Sequence, residues 1–198
     1  SGDLQYLSKE CKKSLDKEGF TDVKITASND LDEYTISRLK AEGAVINSWG
    51  VGTKLITSAD SPSLGGVYKL AASYNKNELI PKIKLSEDPE KISNPGYKKV
   101  VRIYNEDNKA EADLIMLHDE FIDESKPLTI FHPTYTWKSK TFENYKIKEL
   151  HKPLFINGKC KYNKKSIMEV RDYVQSELDT LWEEYKRILN PQTYKVDL

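Results

Sequence analysis

Leu4, Leu7, Cys11 and Leu15 recur at helical spacing ahead of Gly19, which predicts an amphipathic helix capped by Ser1 or Asp3 and closed by a left-handed glycine. A β-rich run follows from Val23 to Ala27. Ser28-Asn29-Asp30 then leads into a second amphipathic stretch carrying Tyr34, Ile36, Leu39 and Ala41, with Asp30 and Glu33 at capping-box spacing and Gly43 as its stop. Ala44 to Trp49 reads as another strand, ending in Gly50-Val51-Gly52-Thr53 and a short helical start at Lys54. Two strands separated by one helix signal a parallel pair. A parallel sheet needs more strands and cover on both faces, so its missing strands are expected upstream. Ser1-Gly2-Asp3, entering a helix without a leading Met, reads as a chain joined midway.

From Gly66 the pattern changes to β runs: Val67 to Tyr74, Lys98 to Tyr104, Ala112 to Leu117 and Leu128 to Phe131. Asn105-Glu106-Asp107-Asn108 is a turn cluster, and Asn157-Gly158 marks a two-residue hairpin within Phe155 to Cys160. This middle region predicts an antiparallel β unit. A capping box at Ser166 and Glu169 then opens a long helix, whose apolar face runs through Ile167, Val170, Val174, Leu178, Leu181, Tyr185 and Ile188 until Asn190-Pro191.

Composition narrows the classes. Lys plus Arg (31) balance Asp plus Glu (31) over 198 residues, so no single-sign field draws in nucleic acid. The apolar runs fall far short of a membrane span, and a soluble, cytoplasmic protein is expected. Cys11 and Cys160 lack paired spacing and read as reduced thiols; His118, His132 and His151 lack metal-ligand spacing and read as structural. No metal site is expected. Lys98-Lys99 and Lys164-Lys165 read as solvated pairs, and Trp137, Trp182 and Tyr185 as packing or subunit contacts.

Candidate chemistry sits at the strand ends. Gly50-Val51-Gly52-Thr53 follows a strand and opens a helix, so its amides can converge on an anion, with the Thr53 hydroxyl as a further donor. A tight turn with left-handed glycines fits the same residues. Ser28, Asn29 and Asp30 occupy the equivalent strand end one unit earlier, where Asn and Asp side chains can hold a ribose diol. Equally, Asp30 fits a simple helix cap.

Several blocks, in order, resemble the nicotinate phosphoribosyltransferase family: Ser1-Gly2-Asp3-Leu4 with Tyr6-Leu7-Ser8, Ala27 to Glu33, Trp49 to Thr53, Leu64 to Leu70, Pro95 to Val100, and Tyr194 to Leu198. The resemblance implies the end of an irregular type II phosphoribosyltransferase (β/α) barrel over 1–65, followed by a C-terminal α+β region over 66–198 with an antiparallel β unit and a long C-terminal helix. It implies an enzyme that makes nicotinate mononucleotide from nicotinate and phosphoribosyl pyrophosphate with coupled ATP hydrolysis, Mg included, and a homodimer without nucleic-acid or membrane partners. On that likeness Gly50, Gly52 and Thr53 hold the 5′-phosphate and Ser28, Asn29 and Asp30 the ribose side. The phosphorylated histidine and nicotinate-binding groups are expected upstream, so the catalytic set in this chain is empty and the isolated chain is expected to be inactive. The competing expectation is a non-catalytic assembly or phosphate-binding module.

Overall fold

In the computed structural model, which describes residues 2–63, 65–88 and 91–198, the Asp3 side chain caps the first helix by accepting from the amides of Gln5 and Tyr6. Ser1, the alternative cap, and Leu64 of the fourth family-like block lie outside the described residues. The chain divides into two units, Ser1–Val67 and Tyr68–Leu198. No helix among the described residues is long and apolar enough to cross a membrane.

The first unit runs α1 (Leu4–Lys17), β1 (Thr26–Ser28), α2 (Glu33–Ala41), β2 (Ser48–Gly50) and α3 (Thr53–Ile56). Gly19 and Gly43 close α1 and α2 at φ +86° and +76°, the left-handed stop that the spacing predicts. β1 and β2 pair in parallel, from Thr26 opposite Ser48 to Ser28 opposite Gly50. Both strands are shorter than the β-rich runs, because Asn47 takes over the ends: its side chain accepts from the Ile25 amide and its own amide donates to the Ile25 carbonyl. Ser8, buried on α1, accepts from the Val45 amide, and Gln5 and Lys9 donate to the Glu42 carbonyl where α2 ends, so α1 satisfies groups that α2 leaves open.

In the second unit, β5 (Lys98–Tyr104) pairs antiparallel with both β6 (Ala110–Leu117) and β9 (Lys146–Glu149). Alternate residues Val101 and Ile103 point into a core with Ala112, Leu114, Ile130, Phe142 and Tyr145. Fully burying one such aliphatic side chain stabilises by about 1.5–3 kcal/mol, which makes this the main energetic support of the unit. The β3 (Ala72–Asn75) and β4 (Glu78–Pro81) hairpin replaces the longer single strand expected from Val67. Its turn residues Lys76 and Asn77 sit at φ +47° and +70°, a two-residue turn without the usual Asn-Gly signal. β7 (Leu128–Phe131) and β8 (Ser139–Phe142) form another hairpin, and β10 (Phe155–Ile156) and β11 (Lys159–Cys160) flank Asn157-Gly158 as expected.

The chain end joins these pieces. β12 (Val196–Asp197) lies parallel to β6, while Leu198 exchanges backbone hydrogen bonds of 2.8 and 2.9 Å with Phe131 of β7. A two-residue strand thereby links the central sheet to the β7–β8 hairpin.

Three expectations are corrected. α4 (Ile167–Thr180) has the Ser166–Glu169 capping box but stops ten residues before Asn190, and only the short α5 (Glu183–Lys186) follows. Leu181 turns extended at ψ 146°, and Lys109 covers the end, its ammonium donating to the Asp179 carbonyl at 2.7 Å and lying 5.9 Å from the Trp182 ring. Lys98 and Lys99 are not a solvated pair. The Lys98 ammonium donates to the carbonyls of Asn94, Pro95 and Gly96, while Lys99 is buried with its ammonium 5.2 Å from the Phe121 ring. Lys69, which within the Val67 to Tyr74 run reads as a strand-surface residue, lies outside any strand and donates to the Lys91 carbonyl.

Gly96 tests this packing. At φ +98° an added Cβ would stand 2.7 Å from Leu117 Cδ2. Gly96→Ala is expected to lower the stability of this unit by about 1–2 kcal/mol, read from urea unfolding; an unchanged midpoint would contradict the close contact.

Candidate functional site

The parallel pairing of β1 and β2 places two loops at the same end of the pair. Ser28, Asp30, Leu31, Gly50, Gly52 and Thr53 line one cleft of about 350 Å³, together with Val51 and Lys54. Of the six candidate residues, Asn29 is absent from the lining.

Gly50 lies against β1. A Cβ there would come within 3.1 Å of Ser28 Cβ and 3.2 Å of its Oγ, so the glycine permits close approach of the two strand ends. Neither Gly50 nor Gly52 has positive φ, which removes the left-handed turn as the reason for them. Gly52, at φ −110°, precedes the first residue of α3 without supplying a side-chain cap. The first amides of a helix have no intrahelical acceptor, so donors remain at this edge of the cleft. A Cβ on Gly52 would meet nothing within 4 Å, leaving the space beside it open.

Asp30 does not cap α2. Asp32 does, with its Oδ1 accepting from the Thr35 amide at 2.7 Å, and Asp30 instead adopts φ +32°. Asp tolerates this left-handed conformation better than most residues, and such conformations cluster at ligand-holding loops. Asp30 is thus one of the residues lining the cleft and not the cap of the helix.

Asp32 and Lys54 are the residues that pattern reading passed over. Asp32 Oδ2 takes a hydrogen bond from Lys54 Nζ at 2.6 Å, across 22 positions of sequence. That bond, followed by those from Thr35, holds the Asp32 carboxyl well below the usual carboxylate range; the same bond raises the Lys54 ammonium above its ordinary value. No sequence spacing marks such a pair, because it depends on the two strands lying side by side.

Outside the cleft, two of the histidines make local contacts. His132 Nδ1 accepts from the amides of Thr134 and Tyr135, and His118 stacks on Tyr97 with ring centres 4.5 Å apart. Cys11 and Cys160 are free and exposed, and the described residues contain no group of three or more His, Cys, Asp or Glu able to hold a metal.

The model of the nicotinate phosphoribosyltransferase C-terminal domain matches residues 97–198. Over its full length the chain is 51% identical to nicotinate phosphoribosyltransferase of Bacillus subtilis and 38% identical to that of Caenorhabditis elegans, covering 41% and 36% of those proteins. The crystal structure of human nicotinic acid phosphoribosyltransferase superposes with a TM-score of 0.73 at 25% identity, over all of this chain and 36% of that one. The chain thus spans about two fifths or less of the length of these relatives.

Proposed function

Since the chain belongs to the nicotinate phosphoribosyltransferase family, we propose that it is the C-terminal portion of an ATP-dependent enzyme that makes nicotinate mononucleotide and pyrophosphate from nicotinate and phosphoribosyl pyrophosphate, in salvage of NAD. In this reading β1 and β2 belong to a type II phosphoribosyltransferase barrel completed by polypeptide upstream. Gly50, Gly52 and Thr53 hold the 5′-phosphate, and Ser28, Asn29 and Asp30 face the ribose. The observation that carries the proposal is the convergence of both loops on one cleft at the same end of the parallel pair.

The chemistry suits such a division of labour. Departure of pyrophosphate leaves oxocarbenium-like charge at C1 of the ribose, so rate is gained by holding the ribose and its phosphate rigidly while the nicotinate nitrogen attacks. Donors around Gly52 and Thr53 match a phosphate dianion, and the Asp30 carboxylate can accept from ribose hydroxyls. ATP is assigned to the upstream part of the enzyme. Mg is proposed to enter with the pyrophosphate, whose oxygens are ligands of the kind this ion prefers. The functional unit is proposed to be a cytoplasmic homodimer.

The test is nicotinate-dependent release of pyrophosphate. Full-length enzyme is expected to turn over on the order of 1 per second or faster, and the isolated chain to give no release above the blank. Comparable turnover by the isolated chain, or release that ignores nicotinate, would overturn the proposal.

A further inference from the structure

We propose that Lys54 is a positioning residue, which through its bond to Asp32 fixes the Gly50–Thr53 loop against the Ser28–Asp32 loop; the inference rests on the phosphate reading above. Beyond Gly50, which pairs with Ser28 of β1, the Gly50–Thr53 loop has little of its own to hold it. Two of its four residues are glycines, Gly52 gives no side-chain cap, and the helix it opens is only four residues long. A helix that short does not stabilise its own first turn.

Asp32 supplies the missing anchor. One oxygen of its carboxylate caps α2 through the Thr35 amide, and the other receives the Lys54 ammonium. A single side chain therefore ties the start of α2 to the first turn of α3, and with them the two loops that line the cleft. The Asp32 side chain is 15% exposed and that of Lys54 45%, so the carboxylate end is fixed while the lysine end reaches it from the edge. Because its charge is already matched by Asp32, Lys54 acts on the phosphate through the loop rather than as a direct ligand.

The experiment is steady-state kinetics on full-length enzyme carrying Lys54→Met, Lys54→Arg, Asp32→Asn, the Lys54→Met/Asp32→Asn pair, and Thr53→Ala as the control for the phosphate reading. Asp32→Asn keeps a side-chain oxygen to cap α2, so it removes the charge without removing the cap. Lys54→Met and Asp32→Asn are each expected to raise the Michaelis constant for phosphoribosyl pyrophosphate about 3- to 5-fold with that for nicotinate unchanged. The pair should be no worse than either single change, and Lys54→Arg should stay within about twofold of the parent, since Arg keeps the ion pair. The positioning role is contradicted if the single effects multiply, if Asp32→Asn tightens phosphoribosyl pyrophosphate, or if both Michaelis constants move together. A large Thr53→Ala effect with a silent Lys54→Met overturns this inference alone. A silent Thr53→Ala removes the phosphate reading and this inference with it.

Discussion

Replacing Thr53 by Ala in the full-length enzyme is expected to raise the Michaelis constant for phosphoribosyl pyrophosphate about 10- to 150-fold while leaving that for nicotinate nearly unchanged. The figure follows from one hydrogen bond to a charged group, worth about 1.5–3 kcal/mol. Thr53 is the first residue of α3 and is exposed beside the cleft. Its backbone carbonyl accepts from the Thr57 amide and hydroxyl, whereas its own hydroxyl has no partner among the described residues and is free to donate outward. Thr53→Ser keeps the donor and loses a methyl group, so it should remain within about threefold of the parent. Equal changes in both Michaelis constants, or none, would mean that this loop does not hold the phosphate.

The largest stability effect is expected from Arg102→Ala, a loss of about 3 kcal/mol in the unit built on β5 and β6. Arg102 donates to both carboxylate oxygens of Asp113, at 2.7 and 2.9 Å, and its guanidinium faces the Tyr194 ring at 5.5 Å. Tyr194 in turn donates to Asp113 at 3.1 Å, and its phenol is held above the usual range, first by burial and then by the Asp113 charge. The network thus fastens the chain end to the sheet just before β12. Removing Arg102 would leave Asp113, 9% exposed, as a buried charge with only the phenol to satisfy it. Urea unfolding of Arg102→Ala against the parent measures the loss. Arg102→Lys should recover only part of it, because an ammonium cannot reproduce the two parallel bonds. A midpoint unchanged by Arg102→Ala would show that the network contributes nothing.

What the sequence disclosed follows from how local each signal is. β5 and β7 sit where the apolar runs place them, and the Ser166–Glu169 capping box is present, because period and cap are properties of adjacent residues. β12 was not legible: two residues carry no period, and the strand exists only through its partners on β6 and β7. The end of α4 was not legible for the same reason, since the apolar face continues to Ile188 while the chain turns extended at Leu181 and a lysine from the β5–β6 turn covers the helix end. In the site, Gly50-Val51-Gly52-Thr53 was visible as a motif, but Asp30 was read as the cap where Asp32 fills that place, and the Lys54 partner of Asp32 lies 22 positions beyond it. The shared cleft itself depends on parallel pairing of strands only three residues long.

Assignment of Gly50–Thr53 as the phosphate loop and Ser28–Asp30 as the ribose side of one cleft fixes where a bound nucleotide must lie. It is tested most directly by a crystal structure of the full-length enzyme with nicotinate mononucleotide. Phosphate oxygens are expected about 3 Å from the amides of Gly52 and Thr53 and from Thr53 Oγ1, with ribose hydroxyls facing Asn29 or Asp30. A phosphate bound elsewhere, with the nucleotide making no contact with either loop, would contradict it.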